Sequence, residues 1–175
     1  MKYQTIEEVY AANDKIRAGL LATIENISDE QANALPEGEK WTIAQIVEHI
    51  AIVQNGMTRI SAKLLNEAKA NGKTSDGKVR ISDDFSQKAA GARAQKFEAP
   101  DRVRPTGNQT LAESIEKLKE SRKNLKDLQP MFETVECSDH KFPHPAFGEL
   151  TAHEWLALVG GHEFRHIEQI KRLIG

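Results

Sequence analysis

The sequence predicts an all-α protein, a four-helix bundle with an unusually long link between its second and third helices. Three observations predict it. A helix-start signal is written four times, an apolar stripe of helical period follows each copy, and nothing between the copies alternates as a strand would. The start signals are Thr5-x-x-Glu8, Thr42-x-x-Gln45, Thr110-x-x-Glu113 and Thr151-x-x-Glu154. Each is a capping box, in which the Thr hydroxyl and the Glu or Gln side chain satisfy backbone N–H groups left free at a helix start. Two carry a hydrophobic staple as well, Trp41 with Ile46 and Leu150 with Trp155.

The first helix, over 5–28, presents Ile6, Val9, Ile16, Leu20 and Ile27. The second, over 42–70, presents Ile46, Val53, Met57, Ile60 and Leu64. The 71–109 connection is far longer than a usual bundle loop of roughly 2 to 8 residues. It holds Gly72, Gly77, Gly91, Pro100, Pro105 and Gly107, and room for a short helix near 83–97. A link of that length can cross the bundle and leave its flanking helices parallel. The third helix, over 110–129, aligns Leu111, Ile115, Leu118, Leu125 and Leu128 and is stopped by Pro130. The 131–149 segment, with Pro143 and Pro145, reads as a second loop and not as sheet. The fourth helix, over 151–174, carries Trp155, Val159, Ile170 and Leu173.

Composition narrows the function. A chain of 175 residues with 39% hydrophobic and 29% charged residues builds one soluble domain over 1–175 with a real core. A net charge of −2 excludes the basic face that nucleic-acid binding needs. No stretch approaches the roughly 18 to 20 apolar residues of a membrane span, and the first residues lack a signal-peptide core. The expected location is therefore the cytoplasm. A single cysteine, Cys137, permits no internal disulfide and argues against a thiolate metal site.

Three histidines stand where a core would want leucine. His162 and His166 are four apart, so they share one side of the fourth helix, within the arc of Trp155, Val159 and Leu173. His49 lies at the edge of the arc of Ile46, Val53 and Ile60 on the second helix. Burying unpartnered imidazoles costs a few kcal/mol each, roughly, so they need partners. A single core histidine bonded to a carbonyl or water is the ordinary explanation for His49 alone. The triple is better explained by a metal, because its heights agree. With the two helices antiparallel and level, His49 lies about 10 Å from the start of one and His166 about 12 Å from the end of the other, at roughly 1.5 Å per residue. Three imidazoles leave coordination positions open, the pattern of a catalytic site, and zinc or nickel would suit them.

The other polar residues receive plainer expectations. His153 projects away from the stripe into solvent, and His140 and His144 are loop residues free to approach the site. Glu48 lies opposite the apolar arc and is neither ligand nor base. Glu163 is expected at the surface, with orienting a histidine as its alternative. Asn13 and Arg17 on the first helix and Arg122 on the third interrupt their stripes and are candidate substrate-binding residues. Arg17 would either grip an anion near the level of His162 or snorkel outward over the core, and the second is favoured.

Three stretches in order, Trp41-Thr-Ile-Ala-Gln-Ile-Val-Glu-His49, His144-Pro-Ala-Phe-Gly-Glu-Leu-Thr151 and His162-Glu-Phe-Arg-His166-Ile-Glu-Gln169, resemble the DinB/YfiT-like superfamily. The resemblance covers most of the chain. It implies an up-down-down-up bundle and a metal held by His49, His162 and His166. Relatives include thiol S-transferases using bacillithiol or mycothiol and a mycothiol-dependent isomerase. Others are labelled metal-dependent hydrolases, and members are often dimers. The expectation is a metal-dependent enzyme that transfers a low-molecular-weight thiol to an electrophile, working as a homodimer on a small-molecule substrate. The alternatives are a hydrolase using metal-activated water and a non-catalytic metal- or small-molecule-binding bundle. Cys137, flanked by Glu136 and Asp139, is disfavoured as a thiolate nucleophile.

Overall fold

A computed structural model describes residues 3–92, 95 and 97–175. In chain order the first elements are α1 (Ile6–Ile24), α2 (Asp29–Asn33), α3 (Ile43–Lys69), α4 (Asp83–Ala92) and a 3-10 turn (Asp101–Val103). There follow α5 (Leu111–Asp127), α6 (Gln129–Thr134), a hairpin of β1 (Lys141–His144) and β2 (Gly148–Thr151), and α7 (Ala152–Ile174). The long helices α1, α3, α5 and α7 make the bundle. All four capping boxes are formed in both directions, on Thr5, Thr42, Thr110 and Thr151.

Cross-helix contacts fix the directions. Asn13 donates to the Leu156 carbonyl and Arg17 pairs with Glu163, so α1 and α7 run parallel. His49, early in α3, meets His162, midway along α7, while Lys63, late in α3, lies over Phe142 just upstream of α7, so these two are antiparallel. Thr58 meets Ser121 while Glu48 binds the residues before α5, which makes α3 and α5 parallel. The order is up-down-down-up.

The connection makes that order possible by retracing the bundle's length. It bridges to Thr5 through Lys78, donates from Arg80 N to His153, and caps α4 with Ser82 held by Glu154. Further on, Arg165 of α7 donates to the Ala92 carbonyl at 2.6 Å. The 3-10 turn then crosses His49, and Thr106 and Gly107 land on Glu48 just before α5 begins.

The apolar core falls into two halves. One gathers Ile6, Val9, Tyr10, Met57, Leu64, Leu125, Phe132 and Trp155, the other Leu20, Ile24, Ile46, Ile50, Leu118, Ile167 and Ile170. On all four long helices a polar residue interrupts the apolar stripe between the halves: Arg17, Gln54, Ser121 and Glu163, all buried. At Gly160, α1 and α7 approach so closely that a Cβ would collide with the Asn13 carboxamide and sit 3.0 Å from Ile16. No helix among the described residues is long and apolar enough to cross a membrane.

Four expectations need correction. The first helix stops at Ile24 and not at 28, because Ser28 leaves the helical region (φ −69°, ψ 160°) to cap α2, with Gln31 closing that box. Pro130 does not simply end the third helix; α5 ends at Asp127, and the proline sits in the first turn of α6, where its missing N–H costs nothing. The 131–149 segment does contain sheet. Phe142 pairs with Leu150 and Pro143 with Glu149, and Gly148 takes the positive φ (80°) that the tight reversal requires. A two-stranded ribbon is all edge, so Pro143 is tolerated there. The short helix near 83–97 is described over Asp83–Ala92 and has ended by Gln95, and residues 93, 94 and 96 lie outside the described residues.

Candidate metal centre

The structure brings His49, His162 and His166 together on the α3–α7 seam. The Nε2 atom of His162 is 3.2 Å from Nε2 of His49 and 3.2 Å from Nε2 of His166. Among the described residues, these three offer ligand atoms that all lie within 4.8 Å of one another. Nitrogens about 2.0–2.1 Å from a common ion at tetrahedral angles stand about 3.3 Å apart, so the spacing suits a zinc-sized cation.

The outer nitrogens decide which way the lone pairs point. His49 Nδ1 lies 2.7 Å from the Val103 carbonyl, an acceptor only, so that nitrogen carries the proton and Nε2 is bare. His166 Nδ1 lies 2.8 Å from Gln169 Oε1, with the same result. Two bare Nε2 atoms thus face His162 Nε2, whose one proton at most can satisfy only one of them well. A cation shared by the three resolves the conflict, and the residues fit one.

Burial depresses the basicity of all three rings. It acts on His49 against the Val103 hydrogen bond, and on His162 together with the charges of His166, His49 and Arg165. His166 is pushed down to about 4, by burial first and then by His49, with Gln169 opposing. The rings are therefore neutral at neutral pH, the state a metal requires of them. Trp41 lies against His49 with ring centres 4.9 Å apart, and His144 is near enough to act on the charge of His162. His144 itself is held down to about 4, by burial and then by Arg102. Its Nδ1 accepts from the Ala146 and Phe147 N–H groups.

The remaining sequence candidates take other places. Glu163 is not a surface residue. It is 2% exposed and forms a two-pronged pair with Arg17, Nε to Oε1 at 2.6 Å and Nη2 to Oε2 at 2.8 Å. Arg17 in turn does not snorkel outward. It also donates to the Leu118 carbonyl at 3.1 Å and to Gln54, so one side chain ties all four long helices. Arg122 binds Asp14 and the Tyr10 carbonyl, and Asn13 is spent on Leu156. None of the three bonds to His49, His162 or His166. His153 is buried and not solvated, because the connection lies over it and Arg80 N donates to its Nδ1. His140 pairs with Asn71 at the opposite end of α3. Glu48, read as facing outward, is fully buried. Burial opposes its charge, but hydrogen bonds from Thr106 and Gly107 and the Lys117 charge outweigh this and hold its pKa below the ordinary value.

Gln169 and the Val103 carbonyl were missed by sequence reasoning. Gln169 has a signal, standing three residues after His166 on the same helical face. A backbone carbonyl has none.

With this geometry in hand, comparison with known proteins is informative. The model of the DinB superfamily matches residues 12–170. This chain belongs to the DinB superfamily. The uncharacterized protein YuaE of Bacillus subtilis (strain 168) is 29% identical over 158 residues, spanning 86% of this chain and 87% of that protein. The crystal structure of TT2238, a four-helix bundle protein, matches with a TM-score of 0.61 at 21% identity, covering 95% of this chain and 98% of that one. That likeness establishes the shared bundle fold of this DinB-superfamily chain, whose three histidines could hold a metal ion.

Proposed function

We propose that this protein is a metal-dependent enzyme whose ion is held by His49, His162 and His166, and that it transfers a low-molecular-weight thiol to an electrophile. One observation carries the metal reading: three imidazoles, two of them buried and His162 half-buried, turn Nε2 to a common point while two of their outer nitrogens are tied to acceptors. The thiol comes from the family resemblance. A zinc or nickel ion bound there would act as a Lewis acid, lowering the pKa of a thiol or a water at its open side.

The chain's own residues hold and orient. His49 and His166 are locked in one tautomer by Val103 and Gln169, and the Arg17–Glu163 pair ties α7 to α1 without touching a histidine. The protein supplies no cysteine nucleophile, since Cys137 is buried and its thiol is pushed up to about 11, by burial first and then by Glu136. The attacking thiol is therefore a substrate. His144, neutral and with Nδ1 taken up by the Ala146 and Phe147 N–H groups, offers a hydrogen-bond donor through Nε2 and no free base. A homodimer in the cytoplasm is part of the same proposal, tested by light scattering on the purified protein.

The deciding experiment incubates the protein with zinc or nickel, a low-molecular-weight thiol and monochlorobimane. Metal-dependent consumption of thiol is the expected result. Ester hydrolysis without thiol would favour a hydrolase, and metal loading with neither activity would favour a binding protein.

A further inference from the structure

Glu48 sits beside His49 on α3, is fully buried, and hydrogen-bonds to none of the three histidines. Its two oxygens are spent on the connection. Oε1 accepts from Thr106 N at 2.9 Å and Thr106 Oγ1 at 2.6 Å, and Oε2 accepts from Gly107 N at 2.9 Å. Gly107 has φ +74°, and a Cβ there would stand 3.0 Å from the Gln45 carboxamide, so the segment is pressed hard onto the start of α3. Three residues upstream of this clamp is Val103, whose carbonyl takes the Nδ1 proton of His49 at 2.7 Å.

The stretch between the clamp and that carbonyl is stiff. Arg104 is extended (φ −67°, ψ 141°), the conformation a following proline imposes, and Pro105 has its own φ locked by its ring. The 3-10 turn Asp101–Val103 closes on itself through Arg104 N to Asp101 O at 3.1 Å. Neighbouring residues of α3 therefore hold the two ends of one short rigid strut, Glu48 at Thr106–Gly107 and His49 at Val103.

We propose that Glu48 is a positioning residue of the metal centre: by clamping Thr106 and Gly107 it holds the Val103 carbonyl on His49 Nδ1, and so sets which nitrogen His49 offers and where. The proposal rests on the metal reading above. Outer partners of this kind change metal affinity by about 10–100-fold when removed. Glu48→Gln is the sharpest probe, since the amide turns an N–H₂ toward a backbone donor and releases one end of the clamp. Pro105→Gly leaves the clamp intact and slackens the strut.

The test uses cobalt(II) as the probe ion on the full chain. Affinity is read by competition with a chelator, and the ligand field by the visible spectrum. Both variants should bind cobalt about tenfold more weakly than the parent, with a shifted visible band and an unchanged far-ultraviolet spectrum. A loss of thermal stability with unchanged affinity and band in both would overturn the proposal, because Glu48 would then only anchor a loop. If Glu48→Gln does not fold, Pro105→Gly decides by the same criteria. Failure of the parent protein to bind cobalt, zinc or nickel would overturn the metal reading itself, a different outcome.

Discussion

Two ends of the same helix each bury imidazole, and they do it in opposite ways. At the start of α7, His153 Nδ1 accepts the Arg80 N–H at 3.1 Å, which puts the proton on Nε2, and that nitrogen forms no well-aligned hydrogen bond among the described residues, with the Phe132 backbone its neighbour. Its ring lies over Phe132, with centres 6.0 Å apart. Three turns later, His166 turns its protonated nitrogen outward to Gln169 and its bare one inward, toward His162 and His49. Burial is common to both ends. What differs is where the free lone pair points, toward a backbone N–H at one end and toward two other imidazoles at the other.

That contrast can be broken first at His162. His162→Ala should remove most of the bound metal, read by elemental analysis of the purified protein, while His153→Ala leaves it bound. Retained metal in the first variant would erase the difference between the ends. Next in size is the polar layer. Arg17→Met strands the buried Glu163 carboxylate and should cost about 3–5 kcal/mol in urea unfolding. Whatever remains folded should still load metal, since Arg17 bonds to no histidine. An unchanged unfolding midpoint would show that the layer contributes nothing.

His153→Leu is expected to be milder. It leaves the Arg80 N–H without an acceptor, for about 1–3 kcal/mol, and should not alter metal affinity. The smallest effect concerns acid. Burial first, with other terms behind it, holds His49, His153, His162 and His166 below the ordinary 6.5 in the folded state. The unfolded chain then takes up protons more readily, so their contribution is present above about pH 6.5 and is lost as pH falls toward about 4. Melting temperatures of metal-free protein should decline across that window. Zinc keeps protons off three imidazoles of the folded protein, so it should leave that decline as steep and carry it to lower pH, whereas His153→Leu should remove one histidine's share of it. A decline flattened by zinc as it is by His153→Leu would blur the two ends again.

The helix starts were legible because a capping box is local, complete within four residues and indifferent to what packs above it. The convergence of the three histidines was legible because an i, i+4 pair on an apolar arc has a definite direction. What stayed hidden depends on distant chain. Arg17 and Glu163 are opposite charges 146 positions apart, and periodicity places each on an arc without saying that they meet. His153 reads as exposed until the connection is laid across it. The hairpin of β1 and β2 is four residues a side with a proline in one strand, too short for alternation to register; Leu150 and Phe147 hold it by burial against the bundle.

Because α1 and α7 point the same way, the two ends of the chain emerge from opposite poles of the molecule. With 23 residues in α7, at about 1.5 Å each, they are separated by about 35 Å. Joining them would take an extended linker of about ten residues, so a circular permutant with a short splice should fail. The practical corollary concerns purification. A polyhistidine tag at Gly175 would start about 13 Å from His166 and could compete for any ion held there, whereas one ahead of Thr5 would hang at the far pole.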